Sequence, residues 1–198
     1  MSASDRFNLA LAALDGANAA DPGRVVINGQ EFPAELIYSQ WMSETLEKFA
    51  PDAPEPLRLA ARAYHIRRWM IPRGSYARGR LGYLQWRTAL SSFHAKQAAR
   101  ILRDTGYDTA TISRVETLIR KERLKADPDT QTLEDVICLV FLQHELTDFM
   151  KKHPEEKVVT ILQKTWKKMS PRGRSAALAP IGLLPEDVRK VIQKATAS

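Results

Sequence analysis

Apolar residues recur three or four positions apart along most of this chain, the spacing of one buried helix face. Phe7, Leu11 and Leu14 mark a first helix over Asp5 to Asn18, with Ser4 placed to cap it. Asp21-Pro22-Gly23 stops that helix. Arg24 to Phe32 then predicts a short hairpin turning at Asn28-Gly29, the strongest two-residue turn signal in the chain. From Pro33 onward the periodicity is helical throughout. It predicts helices over Pro33 to Phe49, Glu55 to Met70, Tyr83 to Thr105, Thr109 to Leu124, Thr132 to Lys152, Pro154 to Met169 and Pro185 to Ala195. Ile71 to Arg80, punctuated by Pro72, Gly74 and Gly79, reads as a loop. The expected fold is all-α, an irregular helical bundle with a small N-terminal β-hairpin.

Length adds that 198 residues fit one domain with a sizeable core. No internal repeat or domain-dividing linker is visible, so residues 1–198 are expected to form a single domain. The longest strongly apolar run, around Val136 to Leu142, falls far short of the ~20 residues that span a bilayer. The N-terminus lacks a basic segment followed by an apolar one, so no signal peptide is expected. The single cysteine, Cys138, sits in an apolar helical run and reads as a buried small hydrophobe. A cytoplasmic protein that does not enter membranes is the expectation.

Charge changes the picture more. The net charge is +7, from 30 Lys and Arg against 23 Asp and Glu. Eleven of the basic residues fall between Arg58 and Arg103, a stretch with no acid, and ten of them are Arg. The other 19 basic residues face all 23 acidic ones, so the remainder is net negative. Arg is suited to forked contacts with phosphate or carboxylate. Within the stretch it alternates with Trp69, Tyr76, Tyr83 and Trp86, which offer stacking faces beside the guanidinium groups. This combination points to an anionic ligand held by Arg67, Arg68, Trp69, Arg73, Arg78, Tyr83, Trp86 and Arg87. A small phosphorylated ligand is favoured over nucleic acid, because the acidic remainder would repel a long polyanion. His65 and Arg68, three residues apart, share a helix face at the edge of this region, and His94 lies inside it.

Read as a series, these segments resemble the HD-domain phosphohydrolase superfamily over roughly Ala34 to Phe149. His65-Ile66 falls on the His-Asp pair, His94 on a later helix His, and Asp135, with Glu134 beside it, on the Asp that completes a metal site. Tyr38 replaces the first His, Ile66 replaces the metal-binding Asp, and Lys121 stands where a further His often occurs. The resemblance implies an HD-like core over residues 33–152 with a C-terminal helical extension over 153–198. It also implies a catalytic set of His65, His94, Lys121, Glu134 and Asp135. A divalent metal on His65, His94 and Asp135 follows from the pattern but is not favoured, given the two replaced ligands and the charge of Lys121. Asp135 has a plainer role open to it, capping a helix or pairing with an Arg. The whole chain is also similar to an uncharacterised bacterial and fungal family, number 4202 among domains of unknown function. That likeness is carried by His65-Ile66-Arg67-Arg68-Trp69, Ile71-Pro72-Arg73, Gly82 to Arg87, Thr132 to Leu142 and Lys164 to Gly173.

The leading functional expectation is an HD-like hydrolase acting on a small phosphorylated or nucleotide substrate, with Lys121 steadying an anionic oxygen beside the two histidines. The alternative is a non-catalytic anion- or nucleotide-binding module on a degenerate HD fold. An RNA- or tRNA-binding protein is the third reading. A second basic patch, Lys164, Lys167, Lys168, Arg172 and Arg174, surrounds Ser170-Pro171-Arg172-Gly173, which reads as a helix-breaking loop able to fold back over the pocket, or equally as a solubilising surface.

Overall fold

The first helix starts two residues earlier than its periodicity suggests, because Ser2 rather than Ser4 caps it. The backbone N–H of Asp5 donates to Ser2 Oγ and that of Ser2 to the Asp5 carboxylate, each at 3.1 Å, a reciprocal box that satisfies two helix-end donors. The computed structural model describes residues 2–179 and 186–196. Among them α1 (Ala3–Ala19) is followed by β1 (Arg24–Ile27) and β2 (Gln30–Pro33), an antiparallel pair in the register Arg24 to Pro33 and Ile27 to Gln30. Asn28 and Gly29 both have positive φ, 51° and 81°, as the predicted two-residue turn requires.

Among the described residues nine helices follow: α2 (Ala34–Phe49), α3 (Glu55–Ala63), α4 (Gly79–Asp104), α5 (Thr109–Arg120), α6 (Pro128–Val140), α7 (Leu146–Lys152), α8 (Glu155–Lys168), α9 (Pro171–Leu178) and α10 (Glu186–Thr196). The all-α class with its N-terminal hairpin is therefore as expected. No helix among the described residues is long and apolar enough to cross a membrane. Pro185, the expected start of the last helix, lies outside the described residues.

Several boundaries differ from the periodicity: α4 starts at Gly79 rather than Tyr83, α5 ends at Arg120 rather than Leu124, and α6 starts at Pro128, capped by Asp127, rather than at Thr132. α3 ends at Ala63 instead of Met70, because Arg67 adopts a left-handed conformation (φ 51°, ψ 35°) and gives its N–H to the side chain of Asn18 rather than to a helical carbonyl. The helix expected over Thr132 to Lys152 is interrupted by a π turn at Phe141–Glu145, which divides it into α6 and α7. Ser170-Pro171-Arg172-Gly173 starts a helix and does not break one. Ser170 Oγ accepts the Gly173 N–H at 3.0 Å and Pro171 takes the first helical position, where its missing N–H costs nothing.

The chain divides into two units, Met1–Glu47 with Pro51–Glu122, and Lys48–Ala50 with Arg123–Ser198. In the first, α5 packs on both α3 and α4, and α1 on α3 and α4, around buried Leu14, Leu57, Leu59, Leu90, Leu102 and Leu118. In the second, Leu146, Val158, Leu162, Val188 and Ile192 form one cluster, while Cys138, Leu139, Met169 and Ala177 form another against which Phe49 packs. Cys138 is buried, as expected.

Candidate functional site

The first unit contains a cavity of about 400 Å³, large enough for a small ligand rather than a lone ion. Three pieces of chain build it. The turn after α3 supplies Tyr64, His65 and Arg68; α4 supplies Leu84, Arg87, Thr88, Ser91 and His94 from one face; and the C-terminal end of α5 supplies Ile119, Arg120 and Lys121. Because α5 lies against both other helices, its last turn is delivered to the same place. Lys121 ends α5 in a left-handed conformation, φ 55°, with its cation at the negative end of the helix dipole.

The turn that presents His65 is fixed by two buried polar residues. Asn18, fully buried at the end of α1, accepts the Arg67 N–H at 2.9 Å and donates to the Glu35 carbonyl at 3.3 Å. Asp21, also buried, accepts the N–H groups of Gly23 and Glu35 at 2.8 Å each, so it caps the start of α2. Together they hold the first turn of α2 against the left-handed turn at Arg67. Glu35 is thereby placed with Oε2 3.4 Å from His65 Nδ1 and Oε1 3.7 Å from Arg68 Nε. On the far side of the ring, Arg68 Nη1 donates to His65 Nε2 at 3.1 Å. The geometry thus assigns a neutral His65, with its hydrogen on Nδ1 facing Glu35. Burial, and after it the charges of Arg68, Arg87 and Lys121, hold its pKa well below the usual imidazole range.

Aromatic faces complete the wall. The His65 ring stacks with Tyr38 at 4.1 Å and with Tyr64 at 4.9 Å between centroids, and Lys121 Nζ sits 5.0 Å over the Tyr64 ring. His94, buried on α4, is 5.9 Å from His65 by centroid and has Nδ1 2.7 Å from the Ile66 carbonyl oxygen. A carbonyl only accepts, so Nδ1 carries the hydrogen. The other nitrogen, Nε2, is shielded from water and has no hydrogen-bond partner. Burial, with Arg68 and Arg87 adding to it, lowers the His94 pKa to about 4 despite the opposing effect of the Ile66 bond.

Several residues expected to touch ligand are instead used by the fold. Arg67 donates to Gln97 Oε1 at 3.2 Å. Arg73 donates to the carbonyls of Tyr76 and Ala77 at 3.0 and 2.9 Å, bracing the loop before α4. Trp86 gives its indole N–H to the Ile71 carbonyl at 2.9 Å and lies under Arg68, 5.0 Å from the ring centroid. Trp69 is half-buried in the short helical turn after Arg67, while Arg78 and Tyr83 are exposed. The cavity lining includes none of these six; of the expected ligand-binding set, it includes Arg68 and Arg87.

Glu134 and Asp135 belong to the second unit. Asp135 accepts from the Ser170 N–H at 2.8 Å and from Ser170 Oγ at 2.5 Å, with Gln131 Nε2 at 3.2 Å, and so buttresses the cap of α9. The carboxylate expected to complete a metal set is thus committed to a helix cap. Glu134 is buried, 3.7 Å from Lys168 Nζ. Among the described residues no three His, Cys, Asp or Glu side chains are grouped to hold a metal ion. The donors around His65 and His94 do not suit one either: Ile66 contributes only a carbonyl already bonded, and Arg68, Arg87 and Lys121 surround the rings with positive charge.

Glu35 is the participant that sequence reasoning missed. A signal was present, since Glu35 precedes Tyr38 by three residues on one face of α2. A family model described as a domain of unknown function (DUF4202) matches residues 8–192. No curated protein and no solved structure matches the chain.

Proposed function

The chain belongs to the DUF4202 family, a membership that specifies no chemistry, and we propose from the geometry of the first unit that its cavity binds a small phosphorylated ligand. One observation carries this reading: Arg68, Arg87 and Lys121, from three separate pieces of chain, line one cavity whose lining has no carboxylate. Glu35 reaches the same cluster from behind, where it holds Arg68 and His65. Thr88, Ser91 and Ser92 add hydroxyl groups for the polar part of a phosphorylated ligand, while Leu84 and Leu90 offer an apolar wall to its body.

The test is calorimetric titration of the full chain with inorganic phosphate and with nucleoside monophosphates. Arg87→Ala and Lys121→Ala are each expected to weaken binding about tenfold, the loss of one charge-assisted contact. Absence of binding by the unaltered protein, or unchanged affinity in both variants, would refute the reading.

A second reading has the cavity hydrolyse its ligand as an HD-like hydrolase. It is supported by the meeting of Tyr38, His65, Ile66, His94 and Lys121, the positions that align with the HD pattern. In it, Arg68, Arg87 and Lys121 hold the phosphoryl group, while the buried His94, tied to the Ile66 carbonyl, fixes the turn that presents His65 and Arg68. Phosphate release from a panel of phosphate esters, abolished by His94→Ala, is the expected result; no release from any ester by the native protein counts against it.

A further inference from the structure

We infer that the ligand of this cavity is a phosphate ester of an apolar chain, with its phosphate among Arg68, Arg87 and Lys121 and its chain lying along the exposed start of α4 over Leu84 and Leu81. The inference rests on reading the cavity as a phosphate site and names the class of ligand.

α4 is longer than α5 and outruns it. α5 turns back along α4 after Gly106 and ends level with Ser91, whose hydroxyl donates to the Ile119 carbonyl at 3.4 Å. α4 begins at Gly79, so about three of its turns run on past the end of α5. The apolar side chains there are left without cover: Leu81 is 72% exposed, Leu84 50% and Tyr83 47%. With Met70 they make up four of the seven large apolar side chains exposed among the described residues, gathered between positions 70 and 84. A single exposed leucine needs no explanation, whereas a local group of them marks a binding surface.

Spacing makes this group a continuation of the cavity. Leu84 and Thr88 belong to the lining. Leu81 precedes them by three and seven residues, so it stands on the same face of α4, further out. From Thr88 to Leu81 the helix rises about 10 Å, a span that an octyl chain can follow.

The rest of the lining suits the same class. Among the described residues the wall has no carboxylate and no carboxamide; beside its cations and hydroxyl groups stand Leu84, Leu90 and Ile119. A nucleoside brings ribose hydroxyls and base amino groups, which donate and call for acceptors of the missing kinds. Tyr64 already has His65 stacked on it and Lys121 over its ring, so it offers little face to a base. An alkyl chain needs no such partners. Cations at the inner end and leucines at the outer end match an amphiphile entering phosphate first.

The test is calorimetric titration of the full chain with inorganic phosphate and with ethyl, butyl and octyl phosphate, each below its micelle-forming concentration. Affinity is expected to rise about twofold per methylene, the effect of covering each on one side, where full burial gives about fourfold. Inorganic phosphate should displace octyl phosphate competitively. Leu81→Gln, at an exposed position outside the lining, is expected to weaken octyl phosphate about fivefold and to leave inorganic and ethyl phosphate unchanged. Equal affinity for ethyl and octyl phosphate, or a nucleoside monophosphate bound more tightly than octyl phosphate, overturns the apolar chain and leaves the phosphate site standing. Octyl phosphate that resists displacement, or that binds Leu81→Gln as well as the unaltered protein, overturns the placement along α4. Cosedimentation with phosphatidic acid vesicles, without any gain from butyl to octyl phosphate, assigns the leucines to a membrane surface and overturns the inference. Binding of none of these phosphates overturns both readings.

Discussion

Arg62 closes a two-pronged ion pair on Asp15, its Nε 2.7 Å from one carboxylate oxygen and its Nη2 2.6 Å from the other. An arginine from the acid-free stretch thus finds its anion inside the protein, on α1, forty-seven residues away. Arg62→Ala is expected to lower the unfolding free energy by about 1–2 kcal/mol, discounted for partial exposure, by leaving Asp15 unmatched. It should leave phosphate affinity unchanged. Urea denaturation alongside phosphate titration separates this structural arginine from Arg68 and Arg87, and a large affinity loss in Arg62→Ala would contradict the assignment.

Glu35 holds the polar side of the His65 stack. Glu35→Ala removes the acceptor facing Nδ1 and the acid nearest Arg68 Nε, and is expected to cost about 1–3 kcal/mol. Glu35→Gln, which keeps an oxygen in place, should recover most of that stability. Thermal melts of the two variants check this, and equal destabilisation by both would show that the charge of Glu35 matters and the oxygen facing Nδ1 does not.

Two helical glycines should reverse the usual rule that Ala is the better helix former. A Cβ at Gly173 would stand 2.5 Å from the Asp135 carboxylate, and one at Gly82 would overlap the Ala77 carbonyl oxygen. Gly173→Ala and Gly82→Ala are each expected to destabilise by about 1–3 kcal/mol, as overpacked sites do. Gly16, with open space around its Cβ position on α1, is the control, and Gly16→Ala should raise stability by up to about 1 kcal/mol. A melting temperature raised by all three substitutions would sink the argument.

Stability should also fall with pH in a defined window. In the unfolded chain both pocket imidazoles take up protons as pH drops below about 6.5, whereas the folded protein keeps His65 and His94 neutral to far lower pH. The unfolded state therefore binds more protons there. The contribution is complete above about 6.5 and is lost as pH falls toward about 4. For His94 the loss is on the order of 3 kcal/mol. Urea midpoints measured across that window should decline in the unaltered protein and decline less in His94→Gln. A midpoint flat between pH 6.5 and 4 would contradict the buried, neutral state.

Helices and hairpin were legible because periodicity and the Asn28-Gly29 turn are local signals. The stop of α3 was not, since the hydrogen bond that ends it joins Arg67 to Asn18, far apart in sequence. The cavity was legible in part. His65, His94 and Lys121 do meet, yet counting charge overstated the wall around them. Arg58 is spent on the carbonyls of Ala53 and Pro51, Arg62 on Asp15 and Arg73 on its own loop. An Arg bonded to backbone carbonyls leaves no mark in composition. Asp135 shows the opposite case: a carboxylate supporting the cap of another helix resembles, in sequence, a carboxylate awaiting a ligand.

Phe49 has a consequence for anyone wishing to take the chain apart. Although it ends α2, it packs with the helices after Arg123, where Arg172 rests over its ring at 4.4 Å and donates to its carbonyl. No single cut of the polypeptide can therefore liberate the C-terminal unit whole. A fragment beginning at Arg123 lacks three residues of its own unit, and expression trials should supply Lys48–Ala50 by circular permutation or as an added peptide.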